Sequence, residues 1–143
     1  MVLPDVNILV YAFREESLKH SLYHRWLENR INGDQAFGMA DQVLAAFVRI
    51  VTNPRVFQPP CPVDKAVAFV SLLRDRPNCV HVAPGTRHWE IFIGLLRDRA
   101  VQGDLITDAW LAALAIEHGC EWITADRDFA RFRGLRWRHP TED

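Results

Sequence analysis

Apolar positions along the chain alternate between short continuous runs and runs that recur every three or four residues. "MVL" predicts a short strand, and "VNILVYAF" turns from it into a first helix. "LKHSLYHRWLENRI" sets Leu18, Leu22, Tyr23, Trp26, Leu27 and Ile31 at an amphipathic helical spacing. "QAFGM" predicts a strand, and "DQVLAAFVRIVT" a largely buried helix that "NPR" stops at Pro54. Beyond the proline-rich connection "VFQPPCPV" come a helix over "VDKAVAFVSLLRDR", a strand over "CVHVA", a turn and cap at "PGT", and a helix over "RHWEIFIGLLRDRAV". "TDAWLAALAIEH" predicts a helix that Gly119 ends in a left-handed C-cap. "CEWIT" is then a strand, "DRDFARF" a short helix and "LRWR" a last strand.

Strands and helices alternating at this spacing predict an α/β domain with a mostly parallel sheet between helices. No repeat or linker interrupts the 143 residues, so residues 1–143 read as a single domain. Pro4 cannot donate to a ladder, so the first strand must end near it or bulge there.

Composition narrows the class. With 49% hydrophobic and 24% charged residues the chain reads as a soluble globular protein, and no apolar run reaches the roughly 20 residues of a membrane span. The first residues carry Asp5 and Asn7 where a signal peptide would be apolar, which places the expectation in the cytoplasm. Cys61, Cys79 and Cys120 form no CxxC pair and read as reduced, buried or half-buried thiols rather than zinc ligands. A net charge of −1 forecasts no bulk attraction to nucleic acid. The cations, however, are 15 arginines against two lysines, and five of those arginines fall in "RDFARFRGLRWR" beside Phe129, Phe132 and Trp137. Two readings of that stretch stand: arginines facing water while the aromatics face the core, or an RNA-binding edge.

Ligands of open parallel α/β sheets sit beyond the carboxyl ends of the strands. Asp5 follows the first strand and Asp126 follows "CEWIT", so both lie on that edge. Asp108 opens the helix running into "CEWIT". If that helix is antiparallel to the strands, its start reaches the same edge. Taken singly, each aspartate reads as a cap or polar turn. Together they repel by roughly 3 kcal/mol per pair at about 5 Å and an effective dielectric of 20, which calls for a cation or raised pKa values. A hard divalent ion with oxygen ligands meets that need, and the chemistry it favours is phosphodiester hydrolysis. Rival phosphate chemistries fit poorly. "DVN" lacks the second acid of a haloacid-dehalogenase DxD, and the only lysines, Lys19 and Lys65, are not placed for a receiver domain.

"PDVNILVYA", "DAWLAALAIEHG" and "ITADRDFARFRGLRW", in that order, closely resemble the PIN-domain ribonucleases, specifically the VapC-type toxins of bacterial toxin–antitoxin pairs. The resemblance implies a three-layer α/β/α sandwich, Mg²⁺- or Mn²⁺-dependent cleavage of RNA, a homodimer, and inhibition by a cognate small antitoxin. It assigns Asp5, Asp108 and Asp126 to the metal site. Asn7 would steady Asp5, Thr124 would hold a carboxylate or water through its hydroxyl, and Asp128 would cap or support. The family's usual glutamate in the third helix is replaced by Ala46. Asp41, five residues earlier, lies roughly 140° around that helix, so capping suits it better than compensation. Ala46 also motivates the alternative of a PIN-like module that binds RNA or antitoxin without cutting.

Overall fold

The computed structural model describes residues 1–142. They form β1 (Val2–Pro4), α1 (Val6–Phe13), α2 (His20–Ile31), β2 (Phe37–Met39), α3 (Asp41–Val51), α4 (Val63–Arg74), β3 (Cys79–His81), α5 (His88–Leu95), α6 (Asp104–Glu117), β4 (Glu121–Ile123) and β5 (Trp137–Arg138), with 3-10 helices at Arg127–Arg131 and Pro140–Glu142. All strand pairs are parallel, in the order β3-β2-β1-β4-β5.

The chain steps from β1 through β2 to β3 in one direction, then crosses back to lay β4 on the other side of β1. Right-handed crossovers therefore put α1 to α4 on one face and α5 and α6 on the other, giving the α/β/α layering. Helix packing follows this division: α1 contacts α2 and α3, α3 contacts α4, and α5 contacts α6. Phe13, Phe47 and Phe69 join α1, α3 and α4 through ring contacts of 4.9–5.2 Å. Leu3, Phe37, Met39, Trp122 and Ile123 fill the sheet side of the core. α6 meets the core through Ala109, Ala112, Ala113 and Ala115, whose small side chains allow close approach. No helix of the described residues is long and apolar enough to cross a membrane.

Pro4 ends β1 as its missing donor requires, and the next N–H, that of Asp5, resumes the ladder by donating to the Ile123 carbonyl at 2.8 Å. Four local expectations shift. Leu18 does not join α2: Lys19 takes a left-handed φ of 62°, the helix starts at His20, and Leu18 is left 86% exposed. α5 ends at Leu95 rather than running through "RDRAV", where the Asp98 side chain accepts the Ala100 N–H at 3.0 Å and closes a turn instead. The "PGT" segment is capped from afar, by Glu117 of α6, whose carboxylate accepts the N–H groups of Gly85 (2.7 Å) and Arg87 (2.9 Å). α6 begins at Asp104, one turn before the expected start, because Leu105 and Ile106 extend its pattern from the bend at Gly103. Gly119, at φ 63°, is the left-handed residue after α6.

Candidate active site

The order of the strands reverses between β1 and β4, and the crevice beyond their carboxyl ends is where an open α/β sheet leaves room for a ligand. Asp5 stands there as the N-cap of α1, its Oδ1 accepting the Val6 N–H at 2.7 Å. Its Oδ2 accepts the Thr124 hydroxyl at 2.7 Å and the Asn7 amide at 3.2 Å. Thr124, fully buried just past β4, also accepts the Asp126 N–H at 3.0 Å, while Asn7 Oδ1 accepts the Ala125 N–H at 3.2 Å. Asn7 and Thr124 thus tie the ends of the two central strands together and hold the Asp5 carboxylate in one orientation.

Asp126 caps the following 3-10 helix by accepting the Asp128 N–H at 2.9 Å, and Asp128 itself is exposed. Asp108 lies in the second turn of α6, half-buried. Because α6 runs into β4 against the strand direction, its early turns reach the carboxyl edge of the sheet, where Asp108 feels the charges of Asp126, Asp128 and Asp104.

Burial pushes the Asp5 carboxyl up to about 6, against the hydrogen bonds from Thr124 and Val6 and with the added repulsion of Asp108 and Asp126. Asp108 is raised in the same sense, first by desolvation and then by Asp126, with Arg131 partly offsetting it. None of the ion pairs among the described residues includes Asp5, Asp108 or Asp126. The three carboxylates therefore share a negative field that Arg131 offsets only in part. They do not close around a point: among the described residues no three His, Cys, Asp or Glu side chains stand close enough to cage an ion. An open, all-oxygen, anionic set of this kind suits Mg²⁺, which keeps several waters and takes one or two carboxylates directly.

Asp41 stands apart from this group. It is the first residue of α3 and makes no side-chain cap, so the capping expectation fails: Ala40 occupies the cap position and the Asp41 carboxylate turns to Arg74 of α4 at 2.9 Å. That hydrogen bond, with the Arg74 charge, holds its carboxyl below the usual range. Ala46 is half-buried on α3. Gln42, one turn before it, lines a cleft with Phe92 of α5 and Ile106, Thr107 and Trp110 of α6. Sequence reasoning passed over Gln42, although its spacing of four from Ala46 puts both on one helical face.

The thiols are buried at Cys61 and Cys120 and half-buried at Cys79. Their histidine neighbours are engaged with backbone, His81 with the Arg74 carbonyl at 3.1 Å and His118 with that of Ala83 at 2.6 Å. In the arginine-rich stretch Phe129 and Phe132 are buried while Arg127, Arg131, Arg133 and Arg136 are exposed; Arg138 instead turns inward to Glu121 at 2.8 Å.

The chain resembles known proteins along nearly its whole length. The family model for the PIN domain matches residues 2–135. The chain is 46% identical over 142 residues to VapC ribonuclease Mb2897 of Mycobacterium bovis, with 99% of this chain and 97% of that protein covered. It is 38% identical over 140 residues to ribonuclease VapC25 of Mycobacterium tuberculosis, covering 98% and 99%. Its fold matches VapBC2 from Rickettsia felis, solved bound to a DNA fragment from their promoter, at a TM-score of 0.69 and 17% identity over 97% of this chain and 98% of that one. It also matches VapC20 of Mycobacterium tuberculosis, described as a sarcin-ricin loop cleaving toxin, at a TM-score of 0.66 and 16% identity over 95% and 99%.

Proposed function

Because the chain belongs to the PIN-domain family, we propose that it is a divalent-metal-dependent endoribonuclease acting as the toxin of a toxin–antitoxin pair. The observation that carries this reading is the shared negative field of Asp5, Asp108 and Asp126, offset only in part by Arg131, at the point where the strand order reverses. An RNA phosphate approaching the three carboxylates would be repelled, so a cation is needed to seat the phosphate that is cut. Asp5, Asp108 and Asp126 would hold that ion, Mg²⁺ or Mn²⁺, with water completing its shell. When bound, the ion would offset charge on the phosphoryl oxygens and make a water more acidic.

The chain's own residues supply the positioning. Val6 N–H, Thr124 and Asn7 fix the Asp5 carboxylate, and the Asp128 N–H fixes Asp126. Thr124 contacts both strand exits at once, so it also sets the spacing between Asp5 and the Asp126 backbone. The VapBC and toxin–antitoxin complexes that share this fold support a further part of the reading: a small antitoxin would bind this chain and present a cationic side chain to the acidic crevice. We propose also that the chain acts as a homodimer in the cytoplasm.

Ala46 favours a second reading, a PIN-like module that binds RNA or antitoxin without cutting it. The carboxylates speak against it, since a pure binding surface gains nothing from acids that raise one another's pKa values. Incubating the purified chain with total cellular RNA in Mg²⁺ or Mn²⁺, against EDTA, and mapping the cut ends decides between them. Metal-dependent cuts at defined positions are expected; intact RNA with either ion would leave the binding module standing.

A further inference from the structure

The ribonuclease reading uses the carboxylates but leaves the neighbouring arginines unexplained. A cleft of about 490 Å³ opens where the end of α5 and the turn after it face the 3-10 helix, with Leu95, Arg97, Asp98, Val101, Arg131 and Arg133 in its walls. Arg97, Arg131 and Arg133 are exposed, and none makes an ion pair among the described residues. Arg131 and Arg133 flank Phe132, whose burial at 4% exposure pins the segment that carries them. The Arg131 Nε–H donates to the Asp128 carbonyl at 3.1 Å, which orients its guanidinium. The single acid in the wall, Asp98, has one carboxylate oxygen taken by the Ala100 N–H, so the cleft presents three guanidinium groups against one engaged carboxylate. It also adjoins the acidic crevice, because Arg131 sits on the 3-10 helix that Asp126 caps: the Asp128 N–H donates to Asp126 at 2.9 Å and the Asp128 carbonyl accepts from Arg131.

We propose that this cleft is a phosphate subsite, in which Arg97, Arg131 and Arg133 hold the single-stranded RNA backbone on one side of the bond to be cut. The proposal rests on the ribonuclease reading, since an anion of some kind is implied by charge alone and the adjoining carboxylates make it a phosphodiester. A strand whose scissile phosphate lies at Asp5, Asp108 and Asp126 must pass its neighbouring phosphates over the adjacent surface, and this is the adjacent surface that attracts them. Guanidinium groups bind phosphate oxygens through paired donors. The volume lies within the roughly 300–1,000 Å³ of small-molecule sites, enough for one nucleotide. Such a subsite also makes length matter: a substrate too short to reach it gains nothing from it.

The test is the doubly substituted Arg97→Gln/Arg133→Gln protein, with Arg131 retained because its field reaches Asp108. Binding of a fluorescent single-stranded RNA is measured in EDTA across a salt series, so that no cleavage enters the reading. Losing two phosphate contacts should make the slope of log K against log salt shallower by about 1.4, at about 0.7 per contact for single strands. With metal present, KM for a long RNA should rise about tenfold or more while kcat holds, and a dinucleotide should be turned over as by the parent. Arg97→Lys/Arg133→Lys should restore most of the salt slope, because the charges return. An unchanged slope and unchanged KM in the Gln protein would overturn the proposal. So would a loss confined to binding of an acidic peptide such as polyglutamate, which would make the cleft a protein-docking site. If the parent cuts no RNA in either metal, the ribonuclease reading fails by itself, and the EDTA salt slopes still report on the cleft.

Discussion

Asp5 should make the metal-free protein less stable as pH rises, the reverse of ordinary acid denaturation. Its carboxyl stands at 3.8 in an unfolded chain and about 6 in the folded one, because burial at 5% exposure disfavours the charge. Between those values the folded state keeps a proton that the unfolded state has released, so unfolding must shed it. The contribution is fully present below pH 3.8 and is lost as pH passes through about 6. A difference of about two pH units corresponds to about 3 kcal/mol at 1.36 kcal/mol per unit. For a chain of this size that is on the order of 10 °C in Tm. Asp108, raised in the same direction, adds to the trend, whereas Asp41, lowered by Arg74, acts oppositely at the acid end. The difference between the parent and Asp5→Asn isolates the one group. Thermal or urea unfolding in EDTA at about pH 4 to 7 is the assay. Asp5→Asn should flatten the decline and, at neutral pH, leave the metal-free protein more stable than the parent. That gain is reduced where the new amide faces the Asn7 amide, which also donates. Parallel pH profiles for the two proteins would refute the reasoning, since the buried charge would then contribute nothing.

Thr124→Val keeps shape but removes the hydroxyl that donates to Asp5 and accepts from Asn7 and Asp126; unfolding should show a loss of about 1–3 kcal/mol at neutral pH, and Asp5 should titrate higher by NMR. Glu117→Ala frees the N–H groups of Gly85 and Arg87, so urea unfolding should show a cost of about 1 kcal/mol with Mn²⁺ affinity unchanged. Ala46→Glu restores an acid on the half-buried face of α3. Mn²⁺ titration should show affinity tighter by about 1–2 kcal/mol, with activity raised at limiting metal only. A collapse in Tm that saturating Mn²⁺ cannot rescue would show instead that position 46 tolerates no charge.

Much of the architecture was legible because each element carries a local signal. Pro4 had to end β1 or bulge it, Gly119 marked a helix end, and the apolar periods marked the six helices. Asp5 and Asp126 were readable as edge residues for the same reason, since each follows a strand directly. The strand order was not legible, because two- and three-residue strands give no pairing information, and only the order makes β1 and β4 neighbours. That adjacency brings Thr124 within 2.7 Å of Asp5 across 119 residues. Long-range partners were equally hidden: Asp41 reads locally as a cap, and only the packing of α4 on α3 gives it Arg74. The start of α6 was misplaced because "TDAW" resembles a helix opening, while the turn preceding it has no capping side chain to announce it.

The proposed ribonuclease needs one divalent ion in the crevice, held directly by one or two of Asp5, Asp108 and Asp126 and through water by the rest. Calorimetric titration of Mn²⁺ into the parent and into Asp5→Asn, Asp108→Asn and Asp126→Asn tests it most directly. The account predicts measurable binding to the parent and weakening of about tenfold or more in each variant, with every variant still folded by circular dichroism. Parent-like Mn²⁺ affinity in all three variants would contradict it.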